Sequence, residues 1–317
     1  NILCFIIYLS ISNSSLGGHM EDIKVGFIGL GIMGKPMAKN LLKAGYDVFA
    51  YDNKQIVIDE LTEAGAKGCS DAKELGSSVD VVIVMVQDSA NSESAIISEK
   101  GVLHGLKKGS AVIDMSSISP LVSQKIYKEC LANGVDFLDA PVSGGEPMAI
   151  SGDLAIMVGG DEKVFNKFSE IFDILGKSKV YCGSSGAGNT TKLANQIIVA
   201  ANIEALGEAL VLSKKSGLDP NVVLNAIQGG LAGSNVLNAK GPMMAEGNFD
   251  PGFRINLHQK DLNNALITAK ELGVALPVTG LIQQMISSLI SEGKGEWDHS
   301  GIATFIENIS GVKISDN

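Results

Sequence analysis

Four groups of residues in this 317-residue chain have types and spacings that could do chemistry. The first is Gly29-Leu30-Gly31-Ile32-Met33-Gly34, which directly follows an apolar run and opens an amphipathic one. Glycines so placed permit a tight turn and close backbone approach to a pyrophosphate. A helix N-terminus then attracts the anion through its free N–H groups and its dipole. Asp52 closes the next apolar run, at about the spacing where an acid meets the ribose hydroxyls of a dinucleotide. Its charge opposes a 2′-phosphate. Asn53 follows it and no arginine adjoins it, although Lys54 is near. This group predicts NAD as cofactor, with NADH preferred over NADPH.

The second group is Ser143-Gly144-Gly145, just after the run ending at Asp139. A hydroxyl followed by two glycine N–H groups makes either an anion-binding nest or simply a tight turn. The third is Lys192 with Asn195, three apart and so on one face of a long, otherwise apolar helix. Burial lowers an amine from its ordinary pKa of about 10.4 toward the range useful for proton transfer. The alternative is a lysine facing solvent at the helix start. The fourth is Lys260-Asp261, expected to open a helix of the second half and, taken alone, a surface ion pair.

The elements that must hold these groups follow from the apolar pattern. Short apolar runs at Lys24–Gly29, Asp47–Tyr51, Val81–Val86, Ala111–Asp114, Asp136–Asp139, Leu154–Val158 and Lys179–Cys182 read as strands. Amphipathic stretches between them, notably Met33–Ala44, Pro120–Asn133 and Asp161–Leu175, read as helices. Such alternation predicts an α/β domain with a Rossmann-type, doubly wound, mostly parallel sheet. After Cys182 the strand signal stops. Asn189–Ser216 reads as one long helix, apolar nearly all round and therefore buried. Asp219-Pro220 is an N-cap followed by proline at the first helical position. Further helices are expected over Leu257–Leu272, Pro277–Glu292 and Ser300–Ile309. The expected organisation is a leader or vector-derived segment over 1–19, a dinucleotide-binding domain over 20–182, and an all-α substrate and oligomerisation domain over 183–317.

A net charge of −10 supplies no electrostatic footprint for nucleic acid or an anionic membrane. The four cysteines form no C-x-x-C pair, which fits unpaired thiols in a reducing, cytoplasmic compartment. The four histidines have no metal-ligand spacing, so no metal is expected.

Together, and in this order, the groups resemble the β-hydroxyacid dehydrogenase family across residues 21–317. The strings that carry the resemblance are VGFIGLGIMGKPMAKNL from Val25, DMSS from Asp114, DAPVSGGEP from Asp139, GAGNTTKLANQ from Gly186, GGLAGS from Gly229 and DHS from Asp298. The resemblance implies a 6-phosphogluconate dehydrogenase-like helical domain after the Rossmann domain. It also implies hydride transfer to or from a small 3-hydroxyacid or semialdehyde. Lys192 matches the catalytic lysine, Ser143, Gly144 and Gly145 the substrate-carboxylate loop, and Asn195 a substrate-orienting position. Ser117 and Lys260 match contacts near the nicotinamide, and Val86 a contact on the adenosine side. Relatives that act only as dinucleotide-binding modules lack the lysine. Two departures stand out: Gln196 sits where many members carry asparagine, and Val-Gln-Asp follows Met85. A homodimer or homotetramer is expected from the apolar helical half.

Overall fold

The computed structural model describes residues 23–316, so the leader expected over 1–19 lies outside the described residues. The first domain supplies β1 (Lys24–Ile28), β2 (Asp47–Tyr51), β3 (Lys67–Gly68), β4 (Val81–Val84), β5 (Ala111–Asp114), β6 (Asp136–Asp139), β7 (Val142–Ser143), β8 (Ala155–Gly160) and β9 (Ser178–Gly183). Between them run α1 (Gly34–Lys43), α2 (Gln55–Glu63), α3 (Ala72–Ser78), α4 (Ser89–Ile97), α5 (Pro120–Ala132), α6 (Gly145–Ser151), α7 (Glu162–Lys167) and α8 (Ser169–Leu175).

The strands form one sheet in the order β3-β2-β1-β4-β5-β6-β8-β7, with β9 paired to β8. The first six are mutually parallel. Their order reverses direction between β1 and β4, and dinucleotides bind in the crevice at the carboxyl ends of strands flanking such a switch. β4 and β5 are buried along their whole length. Period-two alternation sends Val81 and Ile83 to one core, with Phe27, Met37 and Phe172, and Val82 and Val84 to the other, with Leu75 and Ile126. Helices on both faces therefore explain the unbroken apolar runs.

β3, β7 and α6 are too short to carry a periodic signal and were not foreseen. The helix expected over Asp161–Leu175 breaks at Phe168 into α7 and α8. The strand expected over Leu154–Val158 runs from Ala155 to Gly160.

The second domain consists of α9 (Ala187–Lys215), α10 (Pro220–Ile227), α11 (Asn235–Glu246), α12 (Ile255–Leu272), α13 (Pro277–Ser291) and α14 (Ala303–Ser310). Asp219 caps α10 by accepting from Asn221 N, with Pro220 in the first turn. α11, unforeseen, carries Pro242 within it and is capped by Ser234, whose Oγ accepts from Leu237 N at 3.0 Å. α9 packs against α11, α12, α13 and α14. Ile203, Leu206 and Leu210 of α9 join Leu262, Ile286 and Ile306 in a third core.

The expectation that α9 is buried all round does not hold for this chain by itself. Ile198 and Leu212 are 60% and 70% exposed, because the neighbouring helices cover one side only. By length and composition α9 could cross a bilayer. Its other face is the spine of the helical domain.

Candidate active site

The Gly29–Gly34 turn has the geometry that its sequence predicts. Gly29 sits at φ +91°, a conformation only glycine adopts without strain. A Cβ on Gly34 would lie 1.9 Å from Gly29 O, so α1 presses onto the end of β1. By contrast, a Cβ on Gly31 would meet no described residue within 4 Å. That open space leaves room for the pyrophosphate of a dinucleotide to approach the backbone. Among the described residues the first turn of α1 has no side-chain cap and no acid, so no negative group occupies the helix start, while Lys35 N and Met37 N donate back to Gly31 O at 3.0 Å and Met33 O at 3.3 Å. Asp52 follows β2 and buttresses the turn: Oδ2 accepts from Leu30 N at 2.7 Å and Oδ1 from Lys54 N at 2.9 Å. Each oxygen keeps a second lone pair for a ribose hydroxyl. Ile32 is exposed at the mouth, Met33 is half-buried beneath it, and Leu30 is buried. Val86 borders Gly29 and is held by its N–H donating to Ser116 Oγ at 2.9 Å. The chain's one arginine, Arg254, lies in the helical domain, paired with Glu296 at 3.1 Å. These residues fit a nicotinamide dinucleotide.

Lys260 does not open its helix, as expected, but lies in the second turn of α12. Nor is it part of a surface pair. Its Nζ crosses to the first domain and donates to Ser117 O at 2.6 Å and Gln87 O at 3.0 Å. It also lies 3.1 Å from Asp261 Oδ1, and Asp261 is buried. Lys260 therefore ties α12 to the loops after β4 and β5, beside Ser117.

Lys192 sits in the second turn of α9 and is 5% exposed. Burial lowers its amine to about 8; the carboxylate of Asp261 opposes that shift and the nearby charge of Lys260 assists it. A buried amine with that affinity can hold a proton at neutral pH and still release it. Gln196, one turn on, donates from Nε2 to Asp261 Oδ2 at 2.6 Å. Asn195 is half-buried and reaches this network only by donating from Nδ2 to Gln196 Oε1 at 2.9 Å. So Gln196, rather than Asn195, shares the buried side of α9 with Lys192. Beyond the ammonium of Lys260, Asp261 Oδ1 has no donor among the described residues.

Below this lies a pair of buried histidines. His258 Nε2 is 3.2 Å from Gln196 O, and His299 Nδ1 is 2.9 Å from His258 Nδ1. A carbonyl only accepts, so His258 carries its proton on Nε2 and His299 donates from Nδ1. Burial pushes both imidazoles toward the neutral form. The pair therefore adds no positive charge beside Lys192 at neutral pH.

Ser143 ends β7, whose pairing with β8 leads straight into Gly144 at φ +145° and Gly145 at φ +69°. Gly144 is the N-cap of α6 and Gly145 its first residue, so hydroxyl and N–H groups cluster at one strand end. The sequence reading assigns no site role to His258, His299 or Asp139, notes Gln196 only as a departure from the family pattern, and takes Asp261 for half of a surface ion pair. Their signal was a set of polar side chains at otherwise apolar positions of buried elements.

Residues 24–183 match the family described as the NAD binding domain of 6-phosphogluconate dehydrogenase. Residues 186–306 match that described as NAD-binding of NADP-dependent 3-hydroxyisobutyrate dehydrogenase. The chain is 43% identical over 293 residues to 2-hydroxy-3-oxopropionate reductase of Escherichia coli (strain K12), covering 92% of this chain and all of that one (100%). It is 37% identical over 289 residues to mitochondrial 3-hydroxyisobutyrate dehydrogenase of Mus musculus, covering 89% and 86%. A solved 3-hydroxyisobutyrate dehydrogenase of Mycobacterium tuberculosis, with L-serine, superimposes with a TM-score of 0.83 at 27% identity, covering 90% and 99%. The chain therefore belongs to the β-hydroxyacid dehydrogenase family, oxidoreductases that act on a CH–OH group with a nicotinamide dinucleotide.

Proposed function

We propose that this enzyme reduces tartronate semialdehyde (2-hydroxy-3-oxopropionate) reversibly to D-glycerate, with NADH preferred over NADPH. The mechanism rests on one observation: Lys192 is buried in the second turn of α9, only 5% exposed, and that burial lowers its amine toward the range useful for proton transfer, to about 8. The bound dihydronicotinamide supplies the hydride. Lys192 as ammonium hydrogen-bonds the aldehyde oxygen and gives it a proton as the carbonyl is reduced. In the reverse direction the neutral amine takes that proton back. Ser143 Oγ and the N–H groups of Gly144 and Gly145 hold the substrate carboxylate, which fixes the reacting carbon. Positioning of this kind can supply about 7 kcal/mol or more. Lys260 and Ser117 frame the nicotinamide end and exclude water between the domains.

The end-to-end similarity to the E. coli reductase supports the choice of substrate. The choice of NADH rests on Asp52 and on a crevice without an arginine. A second reading, 3-hydroxyisobutyrate dehydrogenase or another short-chain semialdehyde reductase, is favoured by the similarity to the mouse enzyme. The two substrates differ by a methyl against a hydroxyl, worth only about 1–3 kcal/mol in a small pocket. A spectrophotometric panel decides between them: tartronate, methylmalonate and succinic semialdehydes and glyoxylate, each with NADH and NADPH. Tartronate semialdehyde with NADH should give the highest kcat/KM. A higher value for methylmalonate semialdehyde would replace the first reading with the second.

A further inference from the structure

α9 starts without a cap of its own. Its N-cap residue, Gly186, has no side chain to offer, and its first turn holds no acidic residue. A Ser, Thr, Asp or Asn at that position would accept from the third N–H of the helix. Here that N–H, of Asn189, is taken by Asp139 Oδ2 at 2.9 Å, and Asp139 Oδ1 accepts from Gly186 N at 2.7 Å. The carboxylate comes from the end of β6 and is fully buried. Glycines make room for it. A Cβ on Gly188 would lie 2.4 Å from Asp139 O, and one on Gly159 would lie 2.7 Å from Asp139 Oδ1. Asn189 extends the joint: its Oδ1 accepts from Ile118 N and its Nδ2 donates to Ser123 Oγ, each at 3.0 Å.

The geometry points to Asp139 as a positioning residue that caps α9 from another strand and so sets where Lys192 stands. Lys192 follows Asn189 by about one turn, and Ser143 follows Asp139 directly after a two-residue link to β7. The proton donor and the carboxylate loop thus hang on one side chain. A carboxylate suits this place because it faces the positive end of the α9 dipole, and hydrogen bonds to an ion are roughly twice as strong as neutral ones. Burial raises Asp139 to about 6, against the pull of the Gly186 and Asn189 donors, so it remains ionised at neutral pH. Its register partner on β5, Asp114, makes a parallel joint: Oδ1 accepts from Ser116 N, and Ser116 Oγ holds Val86. With Asp139 uncharged, the first turn of α9 loosens and water reaches Lys192, whose charged neighbours are Asp261 and Lys260.

This inference rests on the reading of Lys192 as proton donor, and the test separates the two. The full chain is compared with Lys192→Ala, Asp139→Asn and Gly159→Ala. The last crowds the carboxylate without removing it, and its methyl also presses on Gly188 N at 2.7 Å and Ala187 N at 3.0 Å. The measurements are kcat with a semialdehyde at 25 °C, NADH affinity by fluorescence, and titration of the Lys192 amine by NMR of 13Cε-lysine, assigned by its loss in Lys192→Ala. Asp139→Asn should lower kcat at least about tenfold, leave NADH affinity within about twofold, and move the Lys192 titration above its normal position near 8. Gly159→Ala should act in the same direction and more weakly; if Asp139→Asn does not fold, Asp139→Glu, which keeps the charge but displaces it from the Gly186 and Asn189 N–H groups, decides the matter by the same readouts. Folded variants with only a lower Tm, and with kcat and Lys192 titration unchanged, would overturn the role of Asp139 alone. Activity retained in Lys192→Ala would overturn the reading on which it rests.

Discussion

Lys192 keeps an amine where water hardly reaches, and a charge so placed weakens the fold that holds it. Its folded pKa is about 8, below the roughly 10.4 of an unfolded chain. Between those values the unfolded state binds more protons, so this group makes stability rise with pH across that window. Below pH 8 its full cost applies, on the order of 3 kcal/mol. Lys192→Met should therefore raise the unfolding free energy at pH 7 while abolishing turnover, and the gain should shrink toward pH 10. Urea titrations at both pH values would show it; a variant less stable at pH 7 would contradict the assignment. At the other end of the site, the proposed role of Asp52 is to accept from the ribose and to repel a 2′-phosphate, and Asp52→Ala would remove both. The ratio of kcat/KM for NADH over NADPH should fall by about tenfold or more, as expected for a charge-assisted contact of 1.5–3 kcal/mol. An unchanged ratio would remove Asp52 from the cofactor account.

The elements explain why some of this could be read in advance and some could not. The G-x-G-x-x-G and the four-residue apolar strands carry local signals, because a tight turn and a doubly covered strand restrict residue type at each position. β3 and β7, of two residues each, are defined only by what they pair with. The break at Phe168 and the place of Lys260 in α12 likewise depend on packing, not on period. Lys260-Asp261 looked like a surface pair because nothing in the sequence says that α12 meets the loops after β4 and β5. The glycine turn offers a test at this scale. Gly31→Ala meets no described neighbour and should leave Tm unchanged while weakening NADH binding. Gly34→Ala drives a methyl into Gly29 O and should lower both, by about 1–3 kcal/mol in stability. Equal effects of the two on Tm would contradict the separation of packing from approach.

For the whole molecule, the sheet holds the cofactor crevice and the helical domain brings Lys192, Gln196, Asp261 and Lys260 to its edge. Fold class was legible because strand–helix alternation stops abruptly before α9. The convergence of β6, α9 and α12 on one site was not, since it is set by contacts between residues far apart in sequence. The uncovered stripe of α9, with Ile198 and Leu212, fits a second copy of the chain, and light scattering should find a homodimer or homotetramer. A monomer at micromolar concentration would contradict that. The central claim is that Lys192 supplies the proton and belongs to a different part of the molecule from the dinucleotide turn. The most direct test is Lys192→Ala, with kcat for tartronate semialdehyde and NADH affinity measured on the same preparation. General acids contribute roughly 10²–10⁴-fold, so kcat should fall by at least about a hundredfold while NADH affinity stays within about twofold. A variant that retains more than about a tenth of kcat, far outside that span, would show that another group donates the proton.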